Sequence, residues 1–128
     1  MTRSIGRRIA AIAVAVGLAL GGATLVAAPA SAASPAATAF SKCMDPYLNT
    51  ANLTGTNTNL RKAILYTGYA RCYYNLSQRS DITSQQEIDA INNFNNYYAS
   101  ASIYITKTGV SLYEKWLNKY KLLGLKGL

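Results

Sequence analysis

From residue 59 onward, apolar side chains recur at helical spacing. Leu65, Tyr69, Cys72 and Leu76 fall on one face of a helix over 59–78, and Leu60, Ile64 and Gly68 form an adjoining face. A helix apolar over more than half its circumference is expected at the centre of a fold. Gly68 costs about 1 kcal/mol relative to Ala in a helix, so its presence there predicts close approach of another backbone. A second stretch, from Thr83 to Lys107, places Ile91, Phe94, Tyr98, Ala101 and Ile105 within about 80° of arc. A third, Leu112 to Leu123, gathers Leu112, Tyr113, Trp116, Leu117, Tyr120 and Leu123 over about 140°.

Polar punctuation separates these stretches. Thr83 with Gln86, and Ser111 with Glu114, have the spacing of capping boxes. Thr108-Gly109 supplies a stop, and Gly124 is expected to cap the last helix. Upstream, Ser34-Pro35 suits an N-cap and first helical residue, although 33–40 also reads as a loose Ala/Ser/Pro segment. Asp45-Pro46 is expected to break the first helix near Met44, because proline disfavours helix in the residue before it. Ser102 to Thr106 alternates like a strand, but it is short and continues a helical face. The fold class that follows is all-α: a small helical bundle of three main helices plus a broken N-terminal helix, occupying 41–128 as a single domain.

The first thirty residues have a different character. Arg3, Arg7 and Arg8 precede an uncharged run from Ile9 to Ala28, and Ala30-Ser31-Ala32 offers a small-x-small cleavage site. A cleaved signal peptide over 1–32 is the expectation. Ala28-Pro29-Ala30 is a second cut, and Arg7-Arg8 hints at a twin-arginine route. A membrane anchor is the rival reading, since the run approaches the roughly 20 residues that span a bilayer. Its Ala and Gly content makes it weakly hydrophobic, and no basic stop-transfer cluster follows. The protein is therefore expected to be secreted, with association to the cell wall open.

Cleavage after Ala32 leaves Cys43 and Cys72 in an exported chain, where an even cysteine count reads as one disulfide. The rival, a redox pair, lacks CxxC spacing and any His to activate a thiol. The whole chain has no His, which excludes Ser-His-Asp and Cys-His catalysis and His-ligated zinc. No cofactor is expected: a tyrosine-ligated haem has no supporting signal. The carboxylates after the leader are Asp45, Asp81, Glu87, Asp89 and Glu114. A wall-hydrolase pair would have to be assembled in space from Asp45 or Asp81 with Glu87, and nothing in the spacing favours one.

What remains is binding. The exported part keeps a net charge of +5 and holds all ten tyrosines. Asn93, Tyr97, Ser100 and Tyr104 line the edge of one helix face, and Tyr66 and Tyr73 flank another. Tyrosine offers a flat surface and a hydroxyl at low entropy cost, so such stripes suit a glycan or a protein partner. The bland alternative is that they fill a thin core. Trp116 with Lys115 and Lys119 gives the last helix the look of a basic interfacial helix, against the ordinary reading of a core-facing one. The partners expected are an envelope polymer, a membrane surface or another exported protein. Nucleic acid is not expected, because no Arg cluster or recognition motif is present. A non-enzymatic binding protein is the first reading, and a membrane-active protein using its C-terminal helix is the second. A small hydrolase is the third.

Overall fold

A computed structural model describes residues 34–128; the signal peptide expected over 1–32 and its cleavage point before Ala33 lie outside the described residues. The described chain is all-α, with α1 Pro35–Ala51, α2 Thr58–Ser77, α3 Ser84–Thr108 and α4 Val110–Tyr120. No strand occurs among the described residues, and the alternating stretch at 102–106 is helix. The chain divides into two compact units: the first takes 34–40 with Asn75–Asn92, the second Ser41–Tyr74 with Asn93–Leu128.

Two expectations for α1 change. The segment 33–40 is helical from Pro35, and the Ser34 Oγ accepts the Ala37 N–H at 3.1 Å, so the capped start is the one adopted. The helix also runs through Pro46 without a break. An internal proline costs about 3 kcal/mol. Here the same helix buries Met44, Tyr47, Thr50 and Ala51, and the Cys43–Cys72 disulfide fastens it one turn before the proline. Burial and a covalent tie act on the whole face, so they outweigh a local preference.

In the second unit α2 is central, as its pattern predicts: no residue from Lys62 to Tyr74 is exposed. Leu60, Ala63, Ile64, Thr67, Ala70 and Cys72 are buried along it, and Asn57 caps its start by accepting the Leu60 N–H at 3.1 Å. Gly68 does mark a close approach, but of a side chain: Tyr47 lies over it. Ala63 packs with Tyr113 and Leu117 of α4, against which Tyr104, Ile105 and Leu122 are laid.

The buried face of α3 is turned from the one expected. Ala101 is buried and Phe94 and Ile105 are half-buried as expected, but Tyr98 and Ile91 are exposed, and Tyr97 and Tyr104 are half-buried in their stead. The physical reason is aromatic area: Tyr97 and Tyr104 meet rings from α2, which Tyr98 does not.

Both ends of α4 depart from the reading. Its start is Gly109 at φ 99°, with no side-chain cap, so the Ser111–Glu114 box is not used. Gly109 donates its N–H to Ile105 O at 2.9 Å and accepts the Tyr113 N–H at 3.1 Å, ending one helix and beginning the next. The C-cap is Lys121 at φ 57°, three residues before the glycine expected there. That earlier stop lets Leu122 return to the core, its N–H donating to Leu117 O at 2.9 Å. Gly124 instead serves close packing, since a Cβ there would lie 2.9 Å from Leu117 Cδ1. The tail is held by the Tyr47 hydroxyl, which donates to Leu123 O at 2.8 Å, and by Arg71 Nη1, which donates to Gly124 O at 2.6 Å.

In the first unit the Thr83–Gln86 capping box forms both ways: Thr83 Oγ1 accepts the Gln86 N–H at 3.0 Å, and Gln86 Oε1 accepts the Thr83 N–H at 2.8 Å. Arg79 and Asp81 pair through two 2.8 Å hydrogen bonds in the turn before it.

Candidate functional site

Tyr66, Tyr69 and Tyr73 share one face of α2 because three- and four-residue steps return to the same side of a helix. Tyr97 of α3 inserts among them. Its ring centroid lies 4.8 Å from Tyr69, 5.7 Å from Tyr66 and 5.8 Å from Tyr73, the last pair nearly parallel at 3°. Tyr104, two turns further along α3, meets Tyr66 at 5.6 Å. Of the expected surface residues, Tyr66, Tyr73, Tyr97 and Tyr104 are thus brought together. Asn93 is half-buried one turn before Tyr97.

This gathering changes what the tyrosines offer. Rings that stack on one another spend their faces on protein, so little flat area is left for a sugar. Burial pushes the hydroxyls of Tyr69, Tyr73 and Tyr97 above the usual tyrosine range, and neighbouring phenols add to it. They are neutral donors and acceptors at any physiological pH.

Tyr104 differs from the rest. Lys62 Nζ of α2 sits 5.1 Å from its ring centroid and Lys107 Nζ of α3 sits 5.2 Å from it. Spacing along the chain does not display this pair, because the two lysines come from different helices. Tyr69, the middle of the stack, was legible in its spacing from Tyr66 and Tyr73 but reads equally well as core.

Trp116, Lys115 and Lys119 belong to α4, away from that stack in sequence. Trp116 is half-buried against Tyr120 at 5.2 Å, and Lys119 Nζ lies 5.4 Å from the Tyr120 centroid. The apolar face of α4 is spent on the core through Tyr113 and Leu117, with Leu112 at its exposed margin. No described helix is long and apolar enough to cross a membrane.

Charge is divided between the units. The second holds nine Lys or Arg against only Asp45 and Glu114, whereas the first holds Arg79 against Asp81, Glu87 and Asp89. The one ion pair among the described residues is Arg79–Asp81, in the first unit. The lysines of the second unit are without carboxylate partners.

Asp81 is poorly suited to the role of a general acid. A hydrogen bond from Arg79 holds Asp81 below the usual carboxylate range, the opposite of what a general acid needs. Glu87 is exposed, and Asp89 accepts from Gln85 at 3.0 Å. Among the described residues no three His, Cys, Asp or Glu side chains converge on a metal position. No family model, curated protein or solved structure matches the chain.

Proposed function

We propose that the protein is exported and acts without catalysis, as a binding protein for an anionic polymer of the cell envelope. The observation that carries this reading is the set of lysines in the second unit with no ion-pair partner. Unpaired cations on one compact unit hold a field that a single solvated charge does not, and a chain of anionic groups answers it at several points at once. The leader-like residues 1–32 and the disulfide support export, since such bonds persist outside the cytosol. N-terminal sequencing of protein from culture medium should begin at Ala33, with Ser31 as the second choice.

Binding to an immobilised anionic polymer tests the reading. Retention should be strong at low salt, and the logarithm of the affinity should fall linearly with that of salt as counterions are released. Equal retention on a neutral polymer, or none at low salt, overturns it. A second reading, membrane activity through α4, is favoured by the exposure of Leu112 and Leu123 near Lys115 and Lys119. The buried Tyr113 and Leu117 oppose it, because the face that would enter lipid is largely used.

A further inference from the structure

We infer that Lys62, Tyr104 and Lys107 form a site for a phosphate group, one link of a phosphodiester polymer. This site rests on the polyanion reading and locates it.

Three observations converge. The two ammonium groups approach the same ring, at 5.1 and 5.2 Å from its centroid, and neither has a carboxylate partner. The ring is itself fixed, because Tyr66 packs on it at 5.6 Å and it lies against the Ala63–Tyr113–Leu117 cluster. Lys62 is half-buried, so its stem is ordered by packing, while Lys107 is exposed. A quadrupole that attracts both cations holds each at the ring without neutralising either. Like charges gathered at one ring repel, and an anion bound at the site offsets that repulsion. Each ammonium keeps N–H donors free after facing the ring.

The chemistry suits a phosphate, which lysine serves as a point charge. A phosphodiester carries its charge on two non-bridging oxygens and continues on either side as a chain. The other lysines of the unit are then available to further links.

The test uses the full exported chain with two probes, inorganic phosphate and a linear polyphosphate. Side-chain NMR signals of Lys62, Lys107 and the Tyr104 ring should shift saturably with inorganic phosphate and not with chloride at equal ionic strength. In the Lys62→Gln/Lys107→Gln variant those shifts should vanish. Its polyphosphate affinity should fall, with the salt slope reduced by about two, one per ammonium lost. Lys115→Gln/Lys119→Gln should leave the phosphate shifts in place, and Tyr104→Leu, which frees both ammoniums, should weaken them. If the protein binds polyphosphate but the Lys62/Lys107 variant binds equally and phosphate shifts nothing at Tyr104, the site is overturned and the polyanion reading stands. If phosphate shifts these signals but no anionic polymer is retained, the site stands and the wider reading falls. Shifts spread evenly over all the lysines overturn the site as well.

Discussion

Tyr47 lies directly over the bare α-carbon of Gly68: a Cβ at position 68 would sit 2.5 Å from Tyr47 Cγ and 2.6 Å from its Cβ. The clash involves the root of a buried ring, which cannot swing aside, since the same tyrosine anchors the tail through its hydroxyl. Gly68→Ala gains about 1 kcal/mol of helix propensity. Forcing α1 and α2 apart costs more, about 1–3 kcal/mol for overpacking plus part of the tail's hydrogen bonding. The variant should unfold at lower guanidinium concentration than the parent. An unchanged or raised midpoint would show that Tyr47 yields freely.

How far the fold was legible depends on whether a signal was local. The Thr83–Gln86 box and the central α2 follow from spacing, the Cys43–Cys72 bridge from an even cysteine count in an exported chain, and all three are present. Gly109, read as a stop, does end α3, whereas Pro46 misleads because its local preference competes with packing that sequence spacing does not display. The turned face of α3 has the same origin: Ile91 and Tyr98 fit the periodicity as well as Tyr97 and Tyr104 do. Only ring partners on α2 decide between them. In the candidate site the individual tyrosines were visible, but the Lys62–Tyr104–Lys107 grouping was not, being a product of two helices side by side.

The disulfide ties α1 to α2 across 29 residues of sequence, with Cys72 buried. Closing a loop of this length stabilises by about 3–4 kcal/mol in the chain-entropy description. That is a large part of the 5–15 kcal/mol typical of a domain. The native protein should weigh two hydrogens less than its reduced form and resist thiol labelling. Reduction should lower the unfolding midpoint markedly, and a reduced protein of equal stability would refute the assignment of that role.

Alkaline pH should unfold the protein through its buried phenols. Burial pushes Tyr113 up to about 12 from an ordinary 10.0, and Tyr47, Tyr69, Tyr73 and Tyr97 are raised for the same reason. Between those two values the unfolded chain has lost protons that the folded one retains, so stability falls as pH rises. The contribution is complete below pH 10.0 and is lost by the time pH passes about 12. Unfolding curves across this range should show that decline. Tyr113→Phe removes one titrating group and the 2.8 Å hydrogen bond to Thr67, which still donates to Ala63 O at 2.7 Å. The variant should be about 1 kcal/mol less stable near neutrality and lose less on going alkaline. Identical alkaline profiles would exonerate Tyr113.

Thr108 Oγ1, at the end of α3, is buried without a hydrogen-bond partner among the described residues. Replacing the hydroxyl by a methyl of the same shape removes a group that gave up water for nothing. Thr108→Val should therefore raise stability by about 1 kcal/mol, read as a higher midpoint in guanidinium. A drop instead would reveal a partner for the hydroxyl in solution.

The C-terminal helix separates the two binding readings, and Trp116, the sole tryptophan, reports on it. Tyr113 and Leu117 are buried, Leu122 packs on them, and the tail beyond is fastened by Tyr47 and Arg71. Burial of each large apolar side chain contributes about 1.5–3 kcal/mol. Pulling α4 from the core into a bilayer would forfeit this for at least two side chains, against a total stability of about 5–15 kcal/mol. Anionic vesicles should accordingly leave the Trp116 emission where it is, even at low salt, when attraction to Lys115, Lys119 and Lys121 is strongest. Removal of Leu112–Leu128 should unfold the protein, seen as loss of helical circular dichroism, and not merely abolish binding. A truncated chain that stays folded, together with a blue shift that weakens as salt is added, would mean that α4 is a detachable interfacial helix. The membrane-active reading would then replace the polymer-binding one.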